Sequence, residues 1–178
     1  MRITGGQYCR RNIVCPPGVI RPAMDRMRES LFSILGDLTG SSFLDLFSGS
    51  GCVAIEAASR GASPIHLVEM DRGKKATIEK NLSFVNEEKH LFMMDVNRYI
   101  SSCLLSYDIV YADPPFPMDG KVELSKKIAS RHIVKPGGLY IIHYPAEESG
   151  SWPEEIEGFK FKDERKYGRS LLRFYKAE

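Results

Sequence analysis

The spacing of apolar residues changes near residue 42, and this change divides the chain into two parts. Before it, five apolar side chains recur at helical spacing: Met24, Met27, Leu31, Ile34 and Leu35. Pro22 stands just ahead of them, and proline is favoured in the first turn of a helix. The spacing therefore predicts an amphipathic leading helix within residues 21–38.

From residue 42 onward, short apolar runs alternate with stretches of helical periodicity. The apolar runs predict strands over 42–47, 65–69, 90–94, 107–112 and 139–143. Helical stretches separate them, after Gly51 and over 72–85, 96–104 and 121–132. Strands joined through helices form parallel βαβ units, so we expect an α/β doubly wound sheet. The tail, over 159–164 and 170–175, predicts an antiparallel hairpin that brings this mostly parallel sheet to seven strands.

Residues 1–20 predict a short hairpin arm. A turn is expected at Gly5-Gly6, and a second extended piece ends at Cys15-Pro16-Pro17-Gly18, because proline removes ladder donors. The length of 178 residues suits one domain over 1–178. We expect it to comprise the arm, the leading helix over 21–38 and a core over 42–178.

Composition excludes several classes of protein. With 43% hydrophobic and 27% charged residues, the chain is neither disordered nor a coiled coil. No apolar run reaches the ~18 residues of a membrane span, and no signal peptide is recognised. The cysteines, which form no C-x-x-C pair and have no histidine cluster beside them, are Cys9, Cys15, Cys52 and Cys103. This pattern predicts reduced thiols in a cytoplasmic protein without a metal.

Charge is distributed unevenly along the chain. The net charge is only +2, yet residues 1–28 hold a single acid, Asp25, and six arginines. These arginines are Arg2, Arg10, Arg11, Arg21, Arg26 and Arg28. A basic arm on a mildly acidic body suits contact with RNA phosphates, and we expect the six arginines to make it. Charge alone leaves a simply solvated segment equally open.

The carboxyl ends of the predicted strands are where such a sheet binds ligands. After the first strand, Gly49, Ser50 and Gly51 form a G-x-G turn that opens a helix, which suits close approach of a nucleoside-type cofactor. Glu69 closes the second strand and can accept hydrogen bonds from ribose hydroxyls. Up to this point NAD remains possible.

Two aspartates narrow the choice of cofactor further. Asp45 would repel a pyrophosphate but suits cationic amino and sulfonium groups, which favours S-adenosylmethionine. A loop-bracing role for Asp45 stays open. Asp95 ends the third strand and could bind the adenine amino group, with Met94 or Val96 packing on the ring. An N-cap role for Asp95 is also open, and the two roles are compatible.

The most specific motif is Asp113-Pro114-Pro115-Phe116, at the end of the fourth strand. Proline has a carbonyl but no N–H, so the motif offers acceptors only. The Asp113 carboxylate and the Pro114 carbonyl form a fork that suits an –NH₂ group with two donors. The Phe116 ring offers a face on which a base can stack.

These motifs resemble those of Rossmann-like amino-methyltransferases. The segments at 1–6 and 21–32 are more specific and resemble the bacterial family of 16S rRNA guanine-N2 methyltransferases of the small subunit. The resemblance covers nearly the whole chain. One departure is Ala23-Met24, where the family usually has a threonine after Arg-Pro.

The resemblance implies S-adenosylmethionine as cofactor and a set of site residues. The implied cofactor-binding residues are Asp45, Phe47, Gly49, Ser50, Gly51, Glu69, Met70, Asp95 and Val96. The implied catalytic residues are Asp113, Pro114 and Phe116. No metal is implied.

The implied reaction is methylation of a guanine N2 amine in an assembled or nearly assembled 30S particle. A cytoplasmic monomer without membrane attachment is expected. An adenine-N6 methyltransferase acting on DNA or RNA is an alternative, as is a non-catalytic rRNA assembly factor; an NAD oxidoreductase is a further one. The scattered histidines His66, His90, His132 and His143 are expected to be structural.

Overall fold

One mixed sheet with helices on both faces organises the residues described by this computed structural model, 1–16 and 22–178. Its strands are β1 (Phe43–Leu46), β2 (Ile65–Glu69), β3 (Lys89–Met93), β4 (Tyr107–Ala112), β5 (Val134–Pro145), β6 (Glu155–Ile156), β7 (Phe159–Tyr167) and β8 (Ser170–Ala177). Its α-helices are α1 (Pro22–Leu35), α2 (Cys52–Ser59), α3 (Lys75–Leu82), α4 (Val96–Ser102) and α5 (Lys121–Ser130). Short 3₁₀ helices cover Arg72–Lys74 and Ala146–Ser151. None of the helices in the described ranges is long and apolar enough to cross a membrane.

The strand order is β3-β2-β1-β4-β5-β8-β7-β6. The first five strands in this order are parallel, and β8 is antiparallel to β5. The direction of winding reverses between β1 and β4, so the ligand crevice of this fold lies at their carboxyl ends. The predicted doubly wound α/β fold with a terminal hairpin is confirmed.

The predicted strand count was wrong by one. The two-residue strand β6 pairs with β7 at the edge of the sheet and makes eight strands. Two residues are too short to show an alternating pattern, so no periodicity in the sequence indicates this strand. Strand β5 is also longer than predicted, because it runs from Val134 to Pro145. Its Pro-Gly-Gly segment lies where the register between β4 and β5 shifts.

Two apolar layers cover the sheet. On one face α1, α2 and α3 bury side chains such as Leu31, Ile55 and Ile78. On the other face α4 and α5 bury Tyr99 and Leu124, among others. Burial of this extent on both faces explains why the central strands consist of nearly continuous apolar residues.

The N-terminal arm is packed on the first of these layers. The predicted strand pair is reduced to one bridge between Arg2 and Asn12. Ile3, Tyr8 and Ile13 are buried in the core, and the Gln7 N–H donates to the Ser59 carbonyl at the end of α2 at 2.8 Å. The arm is therefore held by apolar packing and by backbone contacts to α2.

A buried carboxylate, Glu56 of α2, ties the arm and α1 together. It accepts hydrogen bonds from the Thr4 N–H at 2.9 Å and from the Gly5 N–H at 3.2 Å. It also pairs with Arg28 at 3.2 Å and with Arg60 at 3.3 Å. Arg28 is 4% exposed and also donates to the Arg2 carbonyl. Its burial corrects the expectation that Arg28 contacts RNA, because this guanidinium is committed to internal acceptors.

Candidate active site

A cavity of about 630 Å³ opens at the carboxyl ends of β1, β2 and β4. Nine of the predicted site residues line it: Phe47, Gly49, Glu69, Met70, Asp95, Val96, Asp113, Pro114 and Phe116. The volume is within the range typical of small-molecule and cofactor sites. The other three predicted residues do not line it: Ser50 borders a smaller cavity next to it, and Asp45 and Gly51 line neither.

The β1–α2 loop forms one wall of the cavity through backbone in the left-handed region. Phe47 has φ 63°, Gly49 has φ 61° and Gly51 has φ 81°. A Cβ added at Gly49 would meet nothing within 4 Å, so this backbone is open to a ligand. At Gly51 it would lie 3.2 Å from Leu67 and 3.4 Å from Ile78. Close ligand approach was expected at both glycines, but Gly51 faces the core.

Ser50 has a structural part in the same loop. Its Oγ accepts a hydrogen bond from the Cys52 N–H at 3.2 Å, and its carbonyl accepts one from Asn81 at 2.9 Å. It borders a smaller cavity of about 110 Å³ next to the main one, together with Phe47, Gly49 and Asp113. Ser50 therefore shapes the loop and lies beside the main cavity.

Glu69 joins the end of β2 to this loop. Its Oε1 accepts from the Gly49 N–H at 2.8 Å and its Oε2 accepts from the Asp71 N–H at 2.9 Å. The side chain is 8% exposed and borders the cavity. Each carboxylate oxygen has more than one lone pair, so both can still accept from hydroxyl groups. Met70, next in the chain, is 65% exposed at the cavity rim.

Asp45 lies beneath the loop and is 1% exposed. Its Oδ2 accepts from the Ala54 N–H at 3.3 Å, which braces the start of α2. Burial raises the pKa of this carboxyl well above its usual value, and the charges of Asp113 and Glu69 raise it further. The contacts of Asp45 therefore show that it braces the loop, which is the alternative left open by the sequence. A cation close to this carboxyl would favour its ionised form.

Asp95 begins α4 as its N-cap, where its Oδ1 accepts from the Arg98 N–H at 3.1 Å. The side chain is exposed and borders the cavity, while Val96 is buried behind it. The N-cap alternative for Asp95 is therefore confirmed, and the same side chain borders the cavity.

The Asp113 motif continues directly from β4. The Asp113 N–H donates to the Leu46 carbonyl at 3.2 Å and so fixes the end of β4 against β1. The Asp113 Oδ1 lies 2.8 Å from Nδ1 of His143 on β5. The Phe116 ring meets the His143 ring edge to face, with centroids 5.2 Å apart. Asp113 and Phe116 thus share His143 as a neighbour.

His143 and Lys121 are the residues that sequence reasoning missed. His143 was expected to be structural, but strand order places it beside the Asp113 motif. The buried Lys121 donates to the carbonyls of Phe116 at 2.9 Å and Met118 at 2.7 Å and to Glu148 at 3.1 Å. It therefore holds the loop after the motif. The β4–β5 adjacency of this fold class could have indicated His143, whereas Lys121 is indistinguishable in the sequence from a surface lysine.

A second cavity of about 570 Å³ adjoins the first. The two share Met24, Phe116 and His143, and the second extends toward Glu147 and Arg169. Met24 belongs to the Ala23-Met24 departure from the family pattern, so the departure falls at the junction of the cavities. A bound cofactor and a second planar ligand could therefore meet across Phe116.

The predicted RNA-contacting arginines differ in their surroundings. Arg2, Arg10, Arg11 and Arg26 are exposed. The Arg11 guanidinium lies 4.8 Å from the centre of the Phe84 ring, which orients it without burying it. Arg21 lies outside the described residues. Four of the six therefore remain available to phosphates.

No group of three or more metal-ligating side chains is found in the described ranges. The four cysteines carry free thiols. Burial, as the largest cause, raises the pKa of the Cys52 thiol to about 12, which makes this cysteine a poor nucleophile.

Comparison with known proteins places this arrangement in a family. Residues 1–176 match the family described as "Conserved hypothetical protein 95". Ribosomal RNA small subunit methyltransferase D of Escherichia coli K12 is 36% identical over 100% of this chain and 90% of its own length. The protein of that name from Buchnera aphidicola of Acyrthosiphon pisum is 33% identical over 80% and 76%.

A solved structure agrees with this result. The yhhF protein of Escherichia coli superimposes with a TM-score of 0.89 at 27% identity, covering 100% of this chain and 98% of that one. Together with the sequence matches, this likeness confirms the predicted methyltransferase activity and the S-adenosylmethionine cofactor. The chain belongs to the family that includes ribosomal RNA small subunit methyltransferase D.

Proposed function

We propose that this protein transfers a methyl group from S-adenosylmethionine to the N2 amine of a guanine in 16S rRNA. Its substrate is an assembled or nearly assembled 30S particle, and the enzyme acts as a cytoplasmic monomer. The observation that carries the proposal is the acceptor-only fork of Asp113 and Pro114, which stands beside two adjoining cavities. Membership of a small-subunit rRNA methyltransferase family supports the choice of RNA.

The first cavity fits the cofactor. Its lining includes the carboxylates Glu69, Asp71 and Asp95, which suit a ligand with amino and sulfonium cations. Gly49 leaves backbone open to the ligand, and Glu69 has lone pairs free for ribose hydroxyls. When bound there, the cofactor supplies an electrophilic methyl on sulfur.

The fork addresses the chemical difficulty of the reaction. The lone pair of an exocyclic guanine amine is delocalised into the ring, so the amine is a weak nucleophile. The Asp113 carboxylate and the Pro114 carbonyl accept its two N–H bonds, which favours a pyramidal nitrogen. They also stabilise the positive charge that develops on nitrogen as the methyl arrives. Asp113 then takes the proton that the methylated amine releases and passes it to solvent.

The second cavity, beside Phe116, admits the target base. A base inside a stacked helix cannot reach the fork, so it must leave its stack. The Phe116 ring then provides a stacking surface, worth ~1–3 kcal/mol per base in comparable sites. Arg2, Arg10, Arg11 and Arg26 contact the surrounding phosphates.

The test uses 30S particles from a strain that lacks this gene. We expect the purified protein to add one methyl per particle, found by mass spectrometry as N2-methylguanine in 16S rRNA. The Asp113→Asn protein, with its cofactor affinity checked by calorimetry, is the matched control. Methylation at adenine N6 would replace the proposal with the adenine alternative, because the fork suits either amine. Cofactor binding without any methylation of particles or free 16S rRNA would favour an assembly factor.

A further inference from the structure

We infer that His143 is a positioning residue, which holds the Asp113 carboxylate so that one oxygen faces the substrate amine. The inference rests on the proposed function, since it assigns to Asp113 the role of acceptor for that amine. His143 itself acts through Asp113 and transfers no methyl.

The geometry of the pair supports this role. Nδ1 of His143 is 2.8 Å from Oδ1 of Asp113, a normal hydrogen-bond length. The histidine side chain is 5% exposed, whereas Asp113 is 22% exposed. The buried member therefore fixes the orientation of the member that reaches the cavity. The Phe116 ring against the imidazole holds the histidine from another side.

The other ring nitrogen indicates the tautomer. Nε2 of His143 is buried and has no hydrogen-bond partner in the described part of the chain. A buried N–H without an acceptor, or an unpaired buried charge, costs more than an unpaired lone pair. A neutral imidazole with its proton on Nδ1 satisfies this condition. In that form His143 donates to Oδ1 and keeps only an unpaired lone pair buried at Nε2.

The hydrogen bond from His143 determines which oxygen of Asp113 faces the substrate amine. With Oδ1 engaged by His143, Oδ2 is the oxygen that works beside the Pro114 carbonyl as the second arm of the fork. Without the donor, the carboxylate can rotate about its Cβ–Cγ bond and move out of alignment with the Pro114 carbonyl. Misplacement of a catalytic group by about 1 Å can cost ~100-fold in rate.

The test compares two amide variants of His143. In His143→Asn the amide nitrogen stands near the place of Nδ1 and can still donate to Asp113. In His143→Gln it stands near the place of Nε2 and cannot. We expect His143→Asn to keep kcat within about fivefold of the natural protein and His143→Gln to lose ~30–100-fold. KM for the 30S particle and cofactor affinity should stay within about threefold in both.

The outcomes separate positioning from packing. A packing role predicts that kcat of the two variants falls together, in proportion to their melting temperatures, and that result would overturn the inference. Equal and near-natural rates in both variants would overturn it as well. A low kcat in His143→Asn with a near-natural kcat in His143→Gln would assign the role to Nε2 and contradict our assignment of Nδ1.

A measurement that needs no RNA distinguishes this inference from the proposed function. In protein with ¹⁵N-labelled histidine, we expect His143 to carry its proton on Nδ1, with a downfield proton signal that moves in Asp113→Asn. A proton on Nε2 would contradict the inference even if the enzyme is active. A natural protein that methylates no particle would contradict the proposed function, while the imidazole signal would still decide whether His143 holds Asp113.

Discussion

The two halves of the candidate site are stabilised in different ways. We call the β1–α2 loop with Asp45 and Glu69 the cofactor side, and the Asp113 motif with His143 and Lys121 the target side. On the cofactor side, backbone N–H groups bond to carboxylates: Gly49 to Glu69 at 2.8 Å and Ala54 to Asp45 at 3.3 Å. On the target side, side chains bond to one another or hold a loop across the fold, as His143 does with Asp113 and Lys121 with Glu148. The cofactor side therefore depends on loop conformation, and the target side on pairs of side chains from separate elements.

This difference has a consequence for mutation. A side chain that bonds to another side chain is removed by one substitution, and the partner loses its orientation at once. A loop held by backbone groups changes mainly when its permitted φ values or its bracing carboxylates change. Substitutions on the two sides should thus affect separate measurements: methyl transfer on the target side, cofactor affinity and folding on the cofactor side.

The largest expected effect is on the target side. Asp113→Asn replaces an acceptor oxygen by an N–H donor, so the fork loses one of its two acceptors. We expect kcat to fall by ~100–1000-fold, as when one preorganised electrostatic group is removed from an active site. Single-turnover methylation measures the fall, and calorimetry should show cofactor affinity within a few fold. A parallel decrease in cofactor affinity would mean that Asp113 belongs to the cofactor side.

On the cofactor side, Gly49 and Gly51 form a matched pair. Both have positive φ, which costs a non-glycine residue ~1–2 kcal/mol. Only at Gly51 would the new methyl press on Leu67, at 3.2 Å, whereas at Gly49 it would enter open space beside the cavity. We expect Gly51→Ala to lower the melting temperature more, and Gly49→Ala to weaken cofactor affinity by about tenfold, or ~1.4 kcal/mol.

The two glycine variants are to be measured by thermal unfolding and by calorimetry with S-adenosylhomocysteine. An equal decrease in cofactor affinity in both, at unequal melting temperatures, would contradict the separation of their roles. Binding to 30S particles should be unchanged in both variants, because neither glycine is on the target side.

The contrast between the sides also explains what the sequence could predict. Gly49, Glu69 and Asp113 lie at or just after the carboxyl ends of strands, so the strand pattern places them at the same edge of the sheet. His143 is thirty residues from Asp113 and meets it only because β5 lies beside β4. In the sequence Arg28 is one of six arginines near the N-terminus, and only the fold shows that it is buried in an ion pair with Glu56. The sequence therefore predicts the functional groups at strand ends, but it does not predict which side chains from distant elements form pairs.

A pH effect on cofactor affinity is expected from Asp45. Burial first, and then Asp113 and Glu69, raise its pKa in the cofactor-free protein. A cationic cofactor favours the ionised carboxylate, so binding releases a proton when the pH is at or below the raised pKa. Affinity should therefore fall as pH is lowered through that pKa, by up to about tenfold per pH unit, and stay constant above it.

The raised pKa of Asp45 also makes the free energy of unfolding depend on pH. The ionised form is disfavoured in the folded state, so the contribution of Asp45 to stability is greatest below its unfolded pKa. It is lost as pH rises through the folded pKa. Asp45→Asn should remove this group's part of both pH effects, measured by calorimetry and by thermal unfolding at several pH values. An unchanged pH dependence in the variant would assign the effect to another group.

The smallest expected effect concerns the arm, which packs against α2. Arg10 and Arg11 are exposed, in contrast to Arg28, so they are free to meet phosphates. Replacing both with alanine should weaken binding to 30S particles and reduce the salt slope of log K by up to ~0.7–0.9 for each phosphate that is no longer neutralised. Cofactor affinity should not change. Arg11 also covers Phe84, so a lower melting temperature in the double variant is compatible with either role. The salt slope is therefore the deciding measurement: a slope equal to that of the natural protein would show that Arg10 and Arg11 only solvate the arm and neutralise no phosphate.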